Sequence, residues 1–223
     1  MRPRQTLLLG FLLLVPVLAF LFLYRFGANR YALPTYLPDR VDSMQVGSKW
    51  QRDTVFHQIH PFRLLASNGR ELTSQSLGRG VWVAQLFGPD EASARVAREF
   101  LQVQEKFRQE SLVHLVSIVL EPGPAPATTL AQLAEQYGTI AGKWMFVTGP
   151  ADVLEQVAQQ ELGRAAQPHK LPPAAGPNLL PGTLLLIDRD LRVRGVYDGT
   201  KPREIDRLLT EINVQLYEYA HPH

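Results

Sequence analysis

The chain has 223 residues, 45% of them hydrophobic, a formal charge of +2 and no cysteine. That composition excludes a disordered chain, and the missing thiols exclude disulfide exchange, cysteine-based peroxide reduction and any thiolate metal site. Four of the 23 basic residues, Arg2, Arg4, Arg25 and Arg30, flank the apolar N-terminus, leaving 19 against 21 acidic residues beyond it, so a basic nucleic-acid-binding stripe is excluded too.

In chain order, Leu7 to Tyr24 is an uncharged run of 18 residues, which as a helix spans about 27 Å, close to the hydrocarbon core of a bilayer. No small-residue cleavage site follows directly, so residues 1–30 are expected to be an uncleaved transmembrane helix in contact with membrane lipid. The slight arginine bias places the N-terminus in the cytoplasm and the rest of this single-pass protein outside it, in the periplasm. Residues 31–53, with Pro34, Pro38 and Gly47 and no sustained periodicity, are expected to be a linker, and residues 54–223 the folded domain.

The domain opens with His57-Gln-Ile-His60-Pro-Phe and a hairpin signal at Asn68-Gly69. Val81 to Phe87 is a continuous apolar strand, ended by Gly88-Pro89-Asp90, with Asp90 placed to cap a helix whose apolar stripe is Val96, Phe100, Val103 and Phe107. Leu112 to Leu120 is a second buried strand, expected to pair with the first. Helices over Thr128–Tyr137 and Asp152–Leu162 alternate with a strand over Trp144–Thr148. Gly163 to Gly182 carries five prolines and reads as a long loop. A strand from Gly182 to Asp188, a hairpin partner over Val193–Tyr197 and an amphipathic helix from Pro202 to Tyr217 complete an α/β sandwich with a mixed central sheet flanked by helices.

The ordered phrases Val81-Trp-Val-Ala, Gln104-Glu-Lys-Phe107, Leu133-Ala-Glu-Gln-Tyr-Gly138, Trp144-Met-Phe-Val-Thr-Gly149, Leu185-Leu-Ile-Asp188 and Arg194-Gly-Val-Tyr-Asp-Gly199 resemble the Sco/SenC family over roughly residues 54–216. The resemblance implies a thioredoxin-like fold on a membrane anchor and a role in assembling the copper site of cytochrome c oxidase. It also implies two cysteines, in a Cys-X-X-X-Cys motif after the first buried strand, and a later histidine as copper ligands. Counted from one side, the cysteine positions are Pro89 and Ser93; counted from the other, Glu91 and Arg95; the histidine position is Leu180. None of these supplies its ligand. The resemblance therefore carries over fold and anchor, and leaves out the copper and redox chemistry.

Other donors are sparse. His57 and His60 are three apart, a spacing that diverges on a strand, and Pro61 argues against a helix. His221 and His223 lie on the C-terminal tail, where ordering entropy opposes ligation. Met145 falls in an apolar strand and reads as core, Met44 in the linker; His114 reads as packed and His169 lies in the long loop. No nucleophile elbow, phosphate loop or paired catalytic carboxylates occur, so no catalytic residue, cofactor or enzymatic activity is expected. Two readings remain. One is an interaction or accessory factor that contacts cytochrome c oxidase subunits or an active Sco-like paralogue; the alternative is a copper-binding or copper-delivery protein using histidines.

Overall fold

The computed structural model describes residues 3–26, 33–36, 38–46, 49–120, 126–158 and 182–221. The chain forms two compact units, Met1–Ala32 and Leu33–His223. In the first, α1 (Pro3–Phe26) is a 24-residue helix. Its described side chains run from Phe11 to Phe22, and the large apolar ones are exposed. Among the described residues no helix is long and apolar enough to cross a membrane.

The second unit holds a seven-stranded sheet in the order β4-β3-β7-β6-β5-β8-β9. Its strands are β3 (Arg63–Ala66), β4 (Glu71–Thr73), β5 (Val81–Phe87), β6 (Val113–Val119), β7 (Trp144–Thr148), β8 (Thr183–Ile187) and β9 (Val193–Asp198). The central strands β5, β6 and β7 run parallel, and β3, β8 and β9 join antiparallel. The expected pairing of the first two buried strands is in register, with Val81 opposite Val113 and Phe87 opposite Val119. β5 is apolar on both faces because both are covered. Val81, Val83 and Phe87 pack under α3 (Glu91–Lys106), α4 (Ala127–Gln136) and α6 (Pro202–Ala220), through Val96, Phe100, Leu130, Leu208 and Ile212. Trp82 and Ala84 face a second core with Ile59, Phe62, Leu77, Leu154 and Val157, which draws on α2 (Ser74–Leu77) and α5 (Ala151–Glu155).

The turns follow their residues. Gly69 adopts a positive φ of 74° between β3 and β4, where the Asn68 side chain accepts a hydrogen bond from the Arg70 N–H. Pro202 sits in the first turn of α6, where its missing N–H costs no hydrogen bond.

The segment expected to be a linker, residues 31–53, carries most of a separate antiparallel hairpin, β1 (Pro38–Val46) with β2 (Lys49–Phe56), and the compact unit begins at Leu33. Tyr36 donates its N–H to the Val193 carbonyl, tying the base of this hairpin to β9. Neither strand shows a clean apolar alternation, so periodicity gave no signal for a pairing set by the ladder itself. The helix expected over Asp152–Leu162 is described as far as Ala158, as α5 followed by a wider, π-type turn; its remainder, and the loop from Gly163 to Pro181, lie outside the described residues.

Candidate functional site

In a thioredoxin-like sandwich the turn between the first central parallel strand and its following helix is the expected seat of chemistry, and here that turn joins β5 to α3. Asp90 is the N-cap of α3: its carboxylate accepts hydrogen bonds from the Ser93 N–H at 2.7 Å and the Ser93 hydroxyl at 2.7 Å. The Ser93 Oγ in turn accepts the Gly88 N–H at 3.0 Å. Burial alone would raise the Asp90 carboxyl, but these bonds and those to neighbouring backbone outweigh it, and the group titrates below the ordinary aspartate range. The helix N-terminus, a ready site for an anion or thiolate, is thus closed by a carboxylate of its own chain.

Beneath the turn the polar contacts continue into the core. The Gln85 side-chain amide donates to the Ser93 carbonyl at 2.8 Å and accepts from the Ser117 hydroxyl at 3.3 Å; the Trp144 indole N–H donates to Ser117 at 3.0 Å. Gln85, Ser93 and Ser117 are all buried, so this chain of bonds satisfies groups that would otherwise be costly to hold there. Gln85 and Ser117 face each other across the β5–β6 ladder. The signal for the pair was present in the sequence, as Gln85 in the apolar run Val81–Phe87 and Ser117 at matching depth in Val113–Val119, and the sequence reading missed it.

Both countings of the cysteine positions land on this turn. Pro89 is exposed and Ser93 buried in the cap network; Glu91 and Arg95 form an exposed i,i+4 ion pair at 3.2 Å on the solvent face of α3. Leu180 lies outside the described residues, but Gly182, two positions on, abuts the same helix. A Cβ there would stand 3.5 Å from Val96 and 3.8 Å from Ala92, and 2.8 Å from Thr200, and its φ of 89° favours glycine. The N-terminal part of α3 and the entry to β8 therefore meet.

The remaining donors scatter. His114 is half-buried with Nδ1 3.1 Å from the Gly142 carbonyl; burial lowers its pKa, the contact with Gly142 opposes that and the nearby Lys143 reinforces it. Met145 is buried in the second core, as expected. Met44 falls in β1. His221 stacks on Tyr217 with ring centroids 4.2 Å apart, and His169 and His223 lie outside the described residues. His57 and His60 differ from expectation: residues 57–62 form neither strand nor helix, and the two rings lie 5.5 Å apart instead of diverging. Among the described residues no group of three or more His, Cys, Asp or Glu gathers as a metal cluster. A cavity of about 970 Å³ lies elsewhere, at the β3–β7 edge, lined by Phe62, Leu64, Thr148, Pro150 and Val153.

At the opposite end of β8 a second polar cluster holds the start of the domain. Arg194 donates to Asp188 at 3.1 Å, to Glu218 at 3.2 Å and to the carbonyls of Leu33 and Pro34, while Glu218 accepts the Leu33 N–H at 2.7 Å.

Comparison with solved structures places this arrangement. A SCO1/SenC family lipoprotein from Bacillus anthracis superposes with a TM-score of 0.57 at 18% identity, over 71% of this chain and 95% of its own. The chain has the thioredoxin-like fold of the Sco proteins. BsSco, described as a member of the Sco family of cytochrome c oxidase assembly proteins, is similar with a TM-score of 0.54 at 20% identity over 71% of this chain and 93% of its own. Yeast Sco1 with copper bound follows with a TM-score of 0.51 at 14% identity, covering 74% and 95%. No protein-family model matches the sequence, and the search of curated proteins found no match. The Sco-like fold is here combined with a chain devoid of cysteine.

Proposed function

We propose that this protein is a membrane-anchored, Sco-like accessory factor that works by binding a partner in cytochrome c oxidase assembly, with no enzymatic, cysteine-redox or cysteine-copper chemistry of its own. The observation that carries the reading is the closure of the β5–α3 turn. The position where the resemblance implies cysteine ligands is occupied by a self-satisfied cap in which Asp90 and Ser93 use their polar atoms on each other and on Gly88. A turn built this way presents a fixed shape without an open reactive group, which suits recognition of a partner better than group transfer.

The anchor is supported by α1. Its sequence from Leu7 to Tyr24 carries no charge, and its large apolar side chains from Phe11 to Phe22 stand exposed all round, a helix type that water alone does not stabilise. With that helix in the bilayer, the domain lies on the extracytoplasmic side. The partner is an oxidase subunit or an active Sco-like paralogue, bound over the exposed residues of the turn.

Photo-crosslinking tests this reading. A crosslinker placed at the exposed Pro89 or Glu91 in the full chain, in membranes that contain the oxidase, is expected to yield an adduct with an oxidase subunit or with a cysteine-bearing Sco-like protein. The reading fails if neither adduct forms and deletion of the protein leaves the oxidase content of the membrane unchanged.

A further inference from the structure

A crevice opens in the seven-stranded sheet where β3 parts from β7, and we infer that it binds an uncharged, extended peptide segment of a partner protein through main-chain hydrogen bonds. The inference goes beyond the accessory role and does not rest on it. The crevice is the cavity of about 970 Å³, near the upper end of the roughly 300–1,000 Å³ usual for ligand pockets, so it has room for more than one side chain. Phe62, Leu64, Leu65, Pro150 and Val153 give it apolar walls.

Strand alternation explains why the sheet opens there. The Ala66 N–H donates to the Arg70 carbonyl at 2.9 Å and the Ser74 N–H to the Phe62 carbonyl at 3.3 Å, so Phe62, Leu64 and Ala66 turn their backbone groups toward β4. Arg63 and Leu65, between them, turn theirs toward β7. On that side the Ser67 N–H donates to the Phe146 carbonyl at 2.8 Å and Leu65 stands opposite Thr148, which puts Pro150 in line with Arg63. Proline has no N–H to give, and among the described residues no hydrogen bond carries the ladder on to Arg63. The chain turns away at Gly149 instead, where a Cβ would stand 2.7 Å from Leu64 and 3.7 Å from the Arg63 carbonyl oxygen. The Arg63 N–H and carbonyl are thus left facing the crevice, a donor and an acceptor on one strand residue.

That pair selects the occupant. A donor and an acceptor side by side on an extended residue match the carbonyl and N–H of another extended chain, the main-chain recognition used when a peptide adds to a sheet. The walls carry no net charge, because their charged residues, Arg63 and Glu71, bond each other at 3.3 Å, so an uncharged segment with apolar side chains fits better than an acidic or basic one. The strands β5, β6 and β7 run parallel, so the crevice opens at the same end of the sheet as the β5–α3 turn, two strands and about 10 Å away. The two surfaces are close enough for one partner to cover both.

The test is fluorescence anisotropy on the full chain in phosphatidylcholine nanodiscs, with a labelled, end-blocked hexapeptide of alternating threonine and valine as the probe. Saturable binding of one peptide per chain is expected. Methylation of the central amide nitrogens of the probe, which removes the donors for the Arg63 carbonyl, is expected to weaken binding by about tenfold. Leu65→Glu, at a wall position that is 37% exposed, is expected to weaken it by about tenfold or more in a protein whose folding is checked by circular dichroism. The methylated probe meets the unaltered chain, so its result stands whether or not that variant folds. Absence of saturable binding, equal affinity for the methylated probe, or equal binding to folded Leu65→Glu would each overturn the inference. Displacement of the probe as the chain self-associates at rising concentration would also overturn it, and would give the crevice to a second copy. The crosslinks sought at Pro89 and Glu91 are independent of all these outcomes.

Discussion

The two ends of the central sheet are built on opposite plans. At the C-terminal end of β5, the turn into α3 is closed by short-range bonds among Gly88, Asp90 and Ser93, residues within five positions of one another. At the other end, Arg194 and Glu218 grip the backbone of Leu33 and Pro34, more than 150 residues away in sequence. The local cap makes a self-sufficient turn where the resemblance implies the cysteine ligands; the long-range grip fixes where the domain begins. A region that has no cysteine can keep its shape through neighbours alone, while the attachment of the segment that follows the N-terminal helix depends on the whole fold being formed.

The sharpest way to break this contrast is Arg194→Ala. It leaves Asp188, whose side chain is only 2% exposed, without its cationic partner and frees the carbonyls of Leu33 and Pro34, a loss of about 3–5 kcal/mol expected for an uncompensated buried charge. Denaturant unfolding of the variant should show a much lower midpoint, and proteolysis should cut the segment ahead of β1 first. If stability is unchanged, the long-range grip is not what holds that end.

Ser93→Ala comes next. It removes the acceptor for the Gly88 N–H and a donor to Asp90, so a loss of about 1–3 kcal/mol is expected, with the strain confined to the β5–α3 turn. Amide hydrogen exchange should rise at Gly88 and in the first turn of α3 while β8 and β9 keep their protection. A uniform rise across the domain would show that the turn is not the local unit described here.

Asp90 sharpens the same point with pH. Because its carboxyl titrates below the unfolded value of about 3.9, its stabilisation is complete above that value and is lost as the pH falls through the folded one. Asp90→Ala is expected to cost about 0.5–2 kcal/mol near neutrality. Asp90→Asn keeps a capping oxygen but has no proton to gain, so its unfolding free energy should fall less steeply than that of the parent between about pH 5 and 2. Identical acid limbs for the two proteins would remove Asp90 from the account. Asp198, held low by Lys201 and Thr200 against the opposing effect of burial, adds to the same acid limb with the same sign.

The smallest effect is expected at Glu91→Ala. Its ion pair with Arg95 is exposed on both sides, so the change in stability should stay within about 0.5 kcal/mol. A larger loss would mean that the outer face of α3 matters to the fold.

Apolar period, turn residues and capping residues are local properties, and by themselves they determined the α/β order, the cap at Asp90, the Asn68-Gly69 turn and the pairing of the Val81 and Val113 strands. The lack of cysteine likewise settled, before any coordinates, that thiol chemistry is absent. The tertiary structure decided what depends on residues far apart in the chain. The β1–β2 hairpin carries little apolar alternation and exists through its cross-strand ladder. The link from Ser93 through Gln85 and Ser117 to Trp144 spans α3 and three strands, and only the sheet register brings those groups together. His57 and His60 look divergent when read as strand residues; the path of the chain between β2 and β3, fixed by Ile59 in the core, is what sets their rings side by side.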